Sequence, residues 1–384
     1  MVTDAHFRGP LAVIRSLGKK NIQISAVSEK KSAMGFYSKY CSEKLVSPNP
    51  RIEPKSYLNF LLKNVKTGDY DCIIPYHTYT TFLLCKYKDI FSDYTKIPPP
   101  DFEIFNKVYN KTELLKIAFK NDITCPVTFF DDDIDNIKSN IQKYPVVIKS
   151  SKIHSVKIEI CRNQLELKEK YAQMTSNFGQ CFVQEYIPNG GEFGVYTLFD
   201  YRSEPVALTV QKRSRTIHEY GGISTLRETV KDEKLVKSAF KLLKNINWSG
   251  VAMVEFRVDA RDGIPKLMEI NPRLWGSLQL SIFSGVDFPY LFYKMITEEK
   301  INPSLCFKDG VLCRWLEGDI RYFTNCKNKL KFIIDFFNPN IKYDVISLKD
   351  LRPFIYSIYT PSHNIMEEKY LEENPIVNKD ELTI

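Results

Sequence analysis

The sequence predicts a mixed α/β and α+β fold, and two observations carry this prediction. In residues 1 to about 100, short apolar segments alternate with helical patterns, which cover residues 10–20 and 78–87. Alternating β and α units typically build an open, mainly parallel sheet of Rossmann-like topology. After residue 190 the apolar segments are joined by short polar turns, and this pattern indicates antiparallel hairpins. We therefore predict a Rossmann-like N-terminal domain followed by an α+β domain.

The first domain should contain short buried strands at residues 22–27 and 72–74. It lacks a Gly-x-Gly-x-x-Gly turn, so no dinucleotide site is predicted. Three consecutive prolines at 98–100 read as a stiff linker, and we place the end of this domain at residue 105. One helix is then expected over residues 106–120 and a buried strand over 144–149.

Later elements follow from the same patterns. Residues 192–199 and 205–211 read as an antiparallel pair around a turn at 200–203, and residues 231–245 as an amphipathic helix. Residues 277–286 look helical, and Asp287 is expected to cap a further helix at 290–295. A helix near 329–337 and a polar tail from Glu367 complete the prediction.

Composition excludes several classes of protein. The 384 residues include 54 basic and 46 acidic side chains, a net charge of +8, but the lysines are dispersed without a dense block. Nucleic-acid binding is therefore not predicted. No apolar run approaches the roughly 18 residues needed to cross a bilayer. The nine cysteines are scattered without a Cys-x-x-Cys pair, which fits free thiols in a reducing cytoplasm.

The most informative stretch runs over residues 250–285. Two apolar segments flank an Asp-Gly turn, which is typical of a β-hairpin. Alternation places Glu269 and Asn271 on one face of the second strand, and Glu255 on the first strand can lie opposite them. Such a set of oxygen ligands suits Mg²⁺. The alternative is an ordinary amphipathic hairpin, but Arg273 follows at once, and so many polar groups on one strand end favour a ligand site.

These motifs resemble the ATP-grasp superfamily, whose members clamp ATP between two α+β subdomains. The resemblance rests on Glu255 and on the segment from Glu269 to Arg273, and it covers roughly residues 1 to 300. It implies a pre-ATP-grasp domain (1–105), an ATP-grasp domain (106–304) with a lid subdomain at about 125–187, and a C-terminal extension (305–384). It also implies ATP and Mg²⁺ (or Mn²⁺) as cofactors, with Glu255, Glu269 and Asn271 as metal ligands.

The resemblance implies further contacts to the nucleotide phosphates. Lys149 ends an apolar strand, where a family lysine meets phosphate, although a lysine there often only extends to water. Lys111 is our choice for a second phosphate lysine, with Lys107 as the alternative. The phosphate-covering loop should span residues 150–158. It lacks the usual glycines, so side chains would have to donate instead: Ser151, Lys152, His154 and Ser155. His154 reads equally well as an exposed loop histidine.

Residues 181–188 resemble the family's hinge, where the main chain beside Tyr186 and Ile187 reads the adenine edge and Glu185 accepts from the amino group. Glu192 falls where a carboxylate commonly holds the ribose hydroxyls. An acidic residue on the open face of a hairpin is the competing interpretation for Glu192.

Two arginines follow in the next strand. Arg213 and Arg215 suit a polyphosphate or a carboxylate, because guanidinium groups bind such anions in a bidentate way. A solvated basic edge strand is the competing account. Gly221 and Gly222 favour a substrate-facing loop. Within the resemblance, Arg273 would grip the γ-phosphate or an acyl phosphate, and Arg213 and Arg215 would assist catalysis.

The expected function is an ATP- and Mg²⁺-dependent ligase that activates a carboxylate as an acyl phosphate and joins it to an amine or another nucleophile. Its partners would be a small-molecule carboxylate and a small-molecule amine, with no nucleic acid and no membrane. A homodimer is common in the family, and a cytoplasmic location is expected. Two alternatives share the fold: a catalytically impaired nucleotide-binding or regulatory protein, and a kinase that uses the same ATP site.

Overall fold

The structure is a computed structural model that describes residues 1–131, 133–151, 158–218, 221–298, 301–326 and 328–360. Its helices are α1 (Arg8–Gly18), α2 (Pro54–Thr67), α3 (Thr78–Lys86), α4 (Phe102–Tyr109), α5 (Lys111–Lys120), α6 (Ile134–Asn140), α7 (Gln164–Phe178), α8 (Glu233–Asn245), α9 (Leu278–Phe283), α10 (Phe288–Thr297), α11 (Leu316–Asn325), α12 (Lys329–Phe336) and α13 (Arg352–Tyr359).

The strands are fewer in the first hundred residues than in the rest of the chain. They are β1 (Ser25–Ser28), β2 (Glu43–Val46), β3 (Thr128–Phe129), β4 (Val146–Ser150), β5 (Ile158–Cys161), β6 (Cys181–Glu185), β7 (Asn189–Phe199), β8 (Pro205–His218), β9 (Gly221–Thr229), β10 (Gly250–Asp259), β11 (Pro265–Asn271), β12 (Leu312–Arg314) and β13 (Lys342–Tyr343). The mixed α/β class predicted from the sequence is confirmed.

The N-terminal region is built on parallel pairing. Strands β1 and β2 are parallel, and isolated parallel bridges join Val2 to Ala26 and to Ile74. Cys72 bridges to Lys96 in the same sense, so the predicted strand at 72–74 contributes bridges rather than a longer ladder. The Rossmann-like assignment and the domain limits remain predictions.

A four-stranded antiparallel sheet of order β3-β6-β4-β5 forms the first of two sheets around the candidate site. Helix α7 covers it, because Leu167 and Tyr171 pack with Ile148 and Val183 in one apolar cluster. The sheet lies wholly within residues 125–187, the range predicted for the lid.

The second sheet has seven strands in the order β11-β10-β7-β8-β9-β12-β13. Side chains alternate between its two faces. One face packs on α8, where Leu235 and Leu242 join a cluster with Val254 and Ile270. The other face carries the acidic and basic side chains of the candidate site, so burial of the first face fixes which residues the second one presents.

Helix boundaries include one correction. The single helix expected over 106–120 is two helices, because Asn110 is extended and caps α5 with its Oδ1, which accepts from the main-chain N–H groups of Thr112 and Glu113. The predicted cap at Asp287 is confirmed: its Oδ1 accepts from the N–H of Tyr290.

Residues 305–360 extend the large sheet and return to the N-terminal region. Strand β12 pairs with β9, and Arg15 of α1 donates to the carboxylate of Asp350. The polar tail from Glu367 lies outside the described residues. In the parts of the chain that the structure describes, no helix combines the length and the apolar character needed to cross a membrane.

Candidate functional site

Three predicted metal ligands meet on strands β10 and β11. These strands are antiparallel, with Glu255 opposite Glu269 and Met253 opposite Asn271. The Nδ2 of Asn271 lies 3.2 Å from Glu255 Oε1 and 3.0 Å from Glu269 Oε1. The predicted placement of Glu255 opposite Glu269 is therefore confirmed, and two carboxylates and one amide form a single polar patch.

Two cations neutralise these carboxylates. Lys111 Nζ lies 3.4 Å from Glu269 Oε2, and Arg213 donates to Glu255 Oε2 at 2.6 Å. Burial raises the pKa of Glu255 against the opposing charge of Arg213. Burial acts in the same sense on Glu269, but Lys111 and its other polar neighbours hold the pKa of that carboxyl below its usual value. Lys111 reaches this patch because α5 begins there, whereas Lys107 is exposed on α4.

A third carboxylate, Glu192, lies between two arginines. Its Oε2 accepts from Arg213 at 3.3 Å and its Oε1 accepts from Arg257. Glu192 was predicted to hold ribose hydroxyls, yet both of its oxygens are engaged by guanidinium groups. Arg257 was missed, although it lies two residues after Glu255 and alternation puts both on one face.

Lys149 lies buried on the four-stranded sheet and donates to Gln184 Oε1 at 2.8 Å. Burial, with a further contribution from Lys111, lowers the pKa of Lys149 to about 7. The nearby Ser151 connects the small sheet to the start of α5. Its carbonyl accepts from the N–H of Lys111, and its Oγ accepts from the hydroxyl of Thr112. Gln184 was missed; a polar residue inside an otherwise apolar strand was the available signal.

The predicted hinge connects the two sheets. Strand β6 ends at Glu185 and β7 begins at Asn189, so Tyr186 and Ile187 lie in the three-residue connection. Glu185 Oε1 accepts from Arg261, which belongs to the turn between β10 and β11. Glu185 therefore anchors the end of the small sheet to the large one, while Ile187 is buried.

Arg273 and Arg215 have different surroundings. Arg273 donates to Thr78 Oγ1 at 2.8 Å and to Asn271 Oδ1 at 3.3 Å, so it joins the polar patch of Glu255, Glu269 and Asn271 to α3. Arg215 instead donates to Asp319 and Asp335 at 3.0 Å each. Register shifts in β8 after Arg213 break the alternation and direct Arg215 to the C-terminal helices. The structure thus gathers Arg213 and Arg273 but not Arg215.

Part of the predicted phosphate loop lies outside the described residues, namely Lys152, His154 and Ser155. Within the described ranges no group of three or more His, Cys, Asp or Glu side chains is placed to hold a metal ion. The two carboxylates and the amide of the patch still fit Mg²⁺ or Mn²⁺, which take few protein oxygens and complete their shell with water and substrate phosphates.

The charge balance also fits a polyphosphate. The site holds three carboxylates, Glu192, Glu255 and Glu269, against five basic side chains: Lys111, Lys149, Arg213, Arg257 and Arg273. A site for a metal ion alone would carry an excess of negative charge. This excess of basic groups suits an anion that brings its own metal ion.

Comparison with known proteins agrees with this geometry. A protein-family profile described as "ATP-grasp in the biosynthetic pathway with Ter operon" matches residues 177–318. The D-aspartate ligase of Enterococcus faecium (strain Aus0004) is 22% identical over a segment that covers 57% of this chain and 56% of that enzyme. The match therefore spans little more than half the length of this relative.

Solved structures share the fold. The biotin carboxylase domain of Hydrogenobacter thermophilus 2-oxoglutarate carboxylase, solved with MgADP and bicarbonate, has a TM-score of 0.67 at 16% identity, covering 81% of this chain and 72% of that one. The L-amino acid ligase of Bacillus licheniformis has a TM-score of 0.62 at 14% identity, covering 79% of this chain and 74% of that one. At these identities the likeness shows the fold alone.

Proposed function

We propose, from the membership of this chain in the ATP-grasp superfamily, that it is an ATP- and Mg²⁺-dependent ligase that activates a carboxylate as an acyl phosphate and joins it to an amine. The observation that carries the proposal is the meeting of Glu255, Glu269 and Asn271 with basic side chains from three elements. These are Lys149 of the small sheet, Lys111 of α5, and the arginines on and next to the large sheet. The similarity to a D-aspartate ligase and to an L-amino acid ligase supports amide formation in particular.

The polar patch on β10 and β11 would hold the metal ion. Glu255, Glu269 and the amide oxygen of Asn271 are the ligands, and a bound Mg²⁺ would neutralise phosphate charge and align the transferred group. In the structure Asn271 directs its Nδ2 to the carboxylates. Ligation through Oδ1 would require the amide to turn and release Arg273.

The first chemical step needs positioning and charge more than proton transfer. A substrate carboxylate oxygen attacks the γ-phosphorus of ATP, the bond to the β-γ bridging oxygen breaks, and ADP leaves. Lys111 and Lys149 would balance the phosphate charge, and a released Arg273 would grip the transferred phosphoryl group.

The second step forms the new bond. The amine attacks the acyl carbon, its proton passes to solvent, and inorganic phosphate leaves with the acyl oxygen. Negative charge develops on the carbonyl oxygen in the tetrahedral intermediate, and Arg273 would stabilise it together with Arg213, which also donates to Glu255. Arg215 has no part in this proposal, because it is committed to Asp319 and Asp335.

The adenine would lie at the connection between the sheets. Tyr186 and Ile187 would read its edge through the main chain. Glu185 would have to share its carboxylate with Arg261 in order to accept from the amino group. Glu192, held by two arginines, would shape the wall of the site and would reach the ribose only through a rearrangement.

Thermal unfolding with and without Mg²⁺-ATP tests the proposal. A ligand that binds only the native state adds about 2.7 kcal/mol of stability at a hundredfold excess over its dissociation constant. We expect Mg²⁺-ATP to raise the unfolding midpoint of the wild type and not that of Glu269→Ala. The matched control is Glu113→Ala, an exposed glutamate on α5, which should respond as the wild type does. An equal response in Glu269→Ala would contradict the metal assignment.

The products separate a ligase from the alternatives. Hydroxylamine attacks an acyl phosphate and yields a hydroxamate, so hydroxamate formation with Mg²⁺-ATP and a carboxylate would support the ligase. A stable phosphorylated product would indicate a kinase instead. Nucleotide binding without ADP release, over a panel of carboxylates and amines, would favour the regulatory alternative.

A further inference from the structure

Two buried arginines beside the candidate site share one carboxylate. Arg227 of β9 donates to Asp344 Oδ2 at 2.7 Å, and Arg8 Nε lies 3.7 Å from the same oxygen. The exposed fractions of the side chains are 1% for Arg227, 11% for Arg8 and 3% for Asp344. Two buried guanidinium groups therefore share one carboxylate at close range, with Glu317 as a further negative neighbour of Arg8.

Several donors of this group lack an acceptor. Among the described residues, Arg8 Nη1 and both Nε and Nη1 of Arg227 have no hydrogen-bond partner. The same is true of Nε1 of Trp315, whose ring lies under the Arg8 guanidinium at 4.2 Å. Burial lowers the pKa of Arg8 against the opposing charge of Asp344. Unpaired buried donors are costly and call for a ligand.

Ordinary arginine packing does not explain these donors. Arg15, which is buried to a similar degree, donates from Nε, Nη1 and Nη2 to Asp350 and Val345. The chain thus satisfies a buried arginine fully elsewhere. Among the described arginines, Arg257 and Arg314 each leave only Nε without a partner, whereas Arg8 and Arg227 together leave three nitrogens without one.

The group adjoins the proposed reaction site. Arg227 lies directly opposite Arg213 in the pairing of β8 with β9, so both are on the face that carries Glu255. Strand β9 is three strand spacings from β10, about 14 Å between main chains, and the long arginine side chains reach into that interval. Arg8 approaches the chain just after Arg273, since a Cβ added to Gly276 would lie 3.2 Å from Arg8 Nη2.

We infer that Arg8 and Arg227 form a subsite for a second carboxylate of the substrate, one that is not activated. The substrate is then a small dicarboxylate or an acidic amino acid, with one carboxylate at the metal-ligand patch and the other held by these two guanidinium groups. This inference rests on the proposed ligase function. A carboxylate is favoured because guanidinium forks match its planar, bidentate geometry.

The test uses ligand-induced stabilisation of the full chain. Malonate, succinate and glutarate are compared with butyrate and with inorganic phosphate at constant ionic strength, and Mg²⁺-ATP is measured separately. We expect at least one diacid to raise the unfolding midpoint more than butyrate and phosphate do. In Arg227→Lys the apparent affinity for that diacid should fall about ten- to hundredfold, because the bidentate bonds are lost, while the response to Mg²⁺-ATP persists.

A second variant excludes a purely structural role. Asp344→Asn removes the internal carboxylate that Arg8 and Arg227 share. It should lower the midpoint without ligand but strengthen the response to the diacid. A structural pair would show only the loss of stability. If Arg227→Lys does not fold, Arg8→Lys at the more exposed position replaces it.

The outcomes separate the inference from the function on which it rests. Equal responses to diacids and butyrate, an equal or larger response to phosphate, or an unchanged diacid response in Asp344→Asn would overturn the subsite while leaving Mg²⁺-ATP binding intact. A diacid-selective response without any response to Mg²⁺-ATP, with or without the diacid, would keep the anion subsite and overturn the proposed function.

Discussion

The Arg15–Asp350 pair and the candidate site both join guanidinium groups to carboxylates, but they use them differently. Asp350 accepts from Arg15, from Ser38 and from the N–H of Lys39, and the side chains of Arg15 and Asp350 are 4% and 1% exposed. In the candidate site, Arg213 bridges two carboxylates and basic groups outnumber acidic ones. Arg15 and Asp350 balance each other's charge, whereas the candidate site has more basic than acidic side chains and could bind an anion.

This difference separates structural from functional ion pairs. A buried pair with every donor used fixes two parts of the chain against each other. A group with surplus charge and shared partners would, on the proposed function, bind an anion and its metal ion. Variants of the first kind should therefore change stability, and variants of the second kind should change ligand binding and turnover.

The largest expected effect comes from breaking the complete pair. Asp350→Ala leaves Arg15 buried without its carboxylate and should lower the free energy of unfolding by about 3–5 kcal/mol. Chemical denaturation measures this change, with Asp309→Ala on an exposed loop as the control. A loss no larger than that of the control would remove the structural role assigned to this pair.

The next effect concerns the metal-ligand patch. Glu255→Gln keeps the shape but removes a negative ligand, so kcat/KM for Mg²⁺-dependent ADP release should fall about a hundredfold or more. The midpoint without ligand should fall less than in Asp350→Ala, because Arg213 keeps its contact with Glu192. Glu113→Gln serves as the control. If Glu255→Gln lowered the unfolding midpoint rather than kcat/KM, the distinction between the two regions would be contradicted.

A third prediction uses the lowered pKa of Lys149. Its pKa is about 7 in the folded protein, and phosphate binds best to the charged amine, so nucleotide binding should take up a proton. Above pH 7 the dissociation constant of Mg²⁺-ATP should rise by up to about tenfold per pH unit. Calorimetry in buffers of different ionisation enthalpy measures the proton uptake. Lys149→Arg stays charged and should lose this pH dependence.

The same lysine also changes stability with pH. Its pKa is lowered in the folded state, so between pH 7 and the ordinary lysine value the unfolded chain binds more protons. Stability contributed by this group therefore rises with pH across that window and is unchanged below it. A Lys149→Met variant should lack this rise in the unbound protein.

The smallest effect is expected at the connection between the sheets. Arg261 is 46% exposed and binds both Glu185 and Asp259, and its removal should cost at most about 1 kcal/mol of stability. Arg261→Ala should raise the KM for ATP modestly, because Glu185 loses its anchor to the large sheet. Kinetics at low and high salt measure the effect, and Arg202→Ala in an exposed turn is the control. A loss that salt does not weaken would contradict a surface ion pair.

Local patterns predicted a large part of the site. Alternation and the Asp-Gly turn placed Glu255 opposite Glu269, and the preference of Asp for the start of a helix identified the cap at Asp287. Both depend on residues close in sequence, which share one strand pair or one helix turn. The ATP-grasp resemblance extended these local predictions to the fold.

Predictions failed where distant contacts or local irregularities determine the position of a side chain or the start of a helix. The register shifts of β8 turn Arg215 away from Arg213, and strict alternation cannot anticipate a bulge. Asn110 splits the expected helix, although its capping preference was readable from the sequence. Arg8, Arg227 and their shared partner Asp344 are far apart in the sequence, and no short pattern marks such contacts.

The Arg15–Asp350 contact has a consequence for biosynthesis. The two residues are 335 positions apart, so at about 5–20 residues per second the ribosome delivers Asp350 roughly 20–70 s after Arg15. Throughout that interval the emerging N-terminal segment holds a guanidinium without its counter-ion. We therefore expect this segment to reach its final packing only near the completion of synthesis.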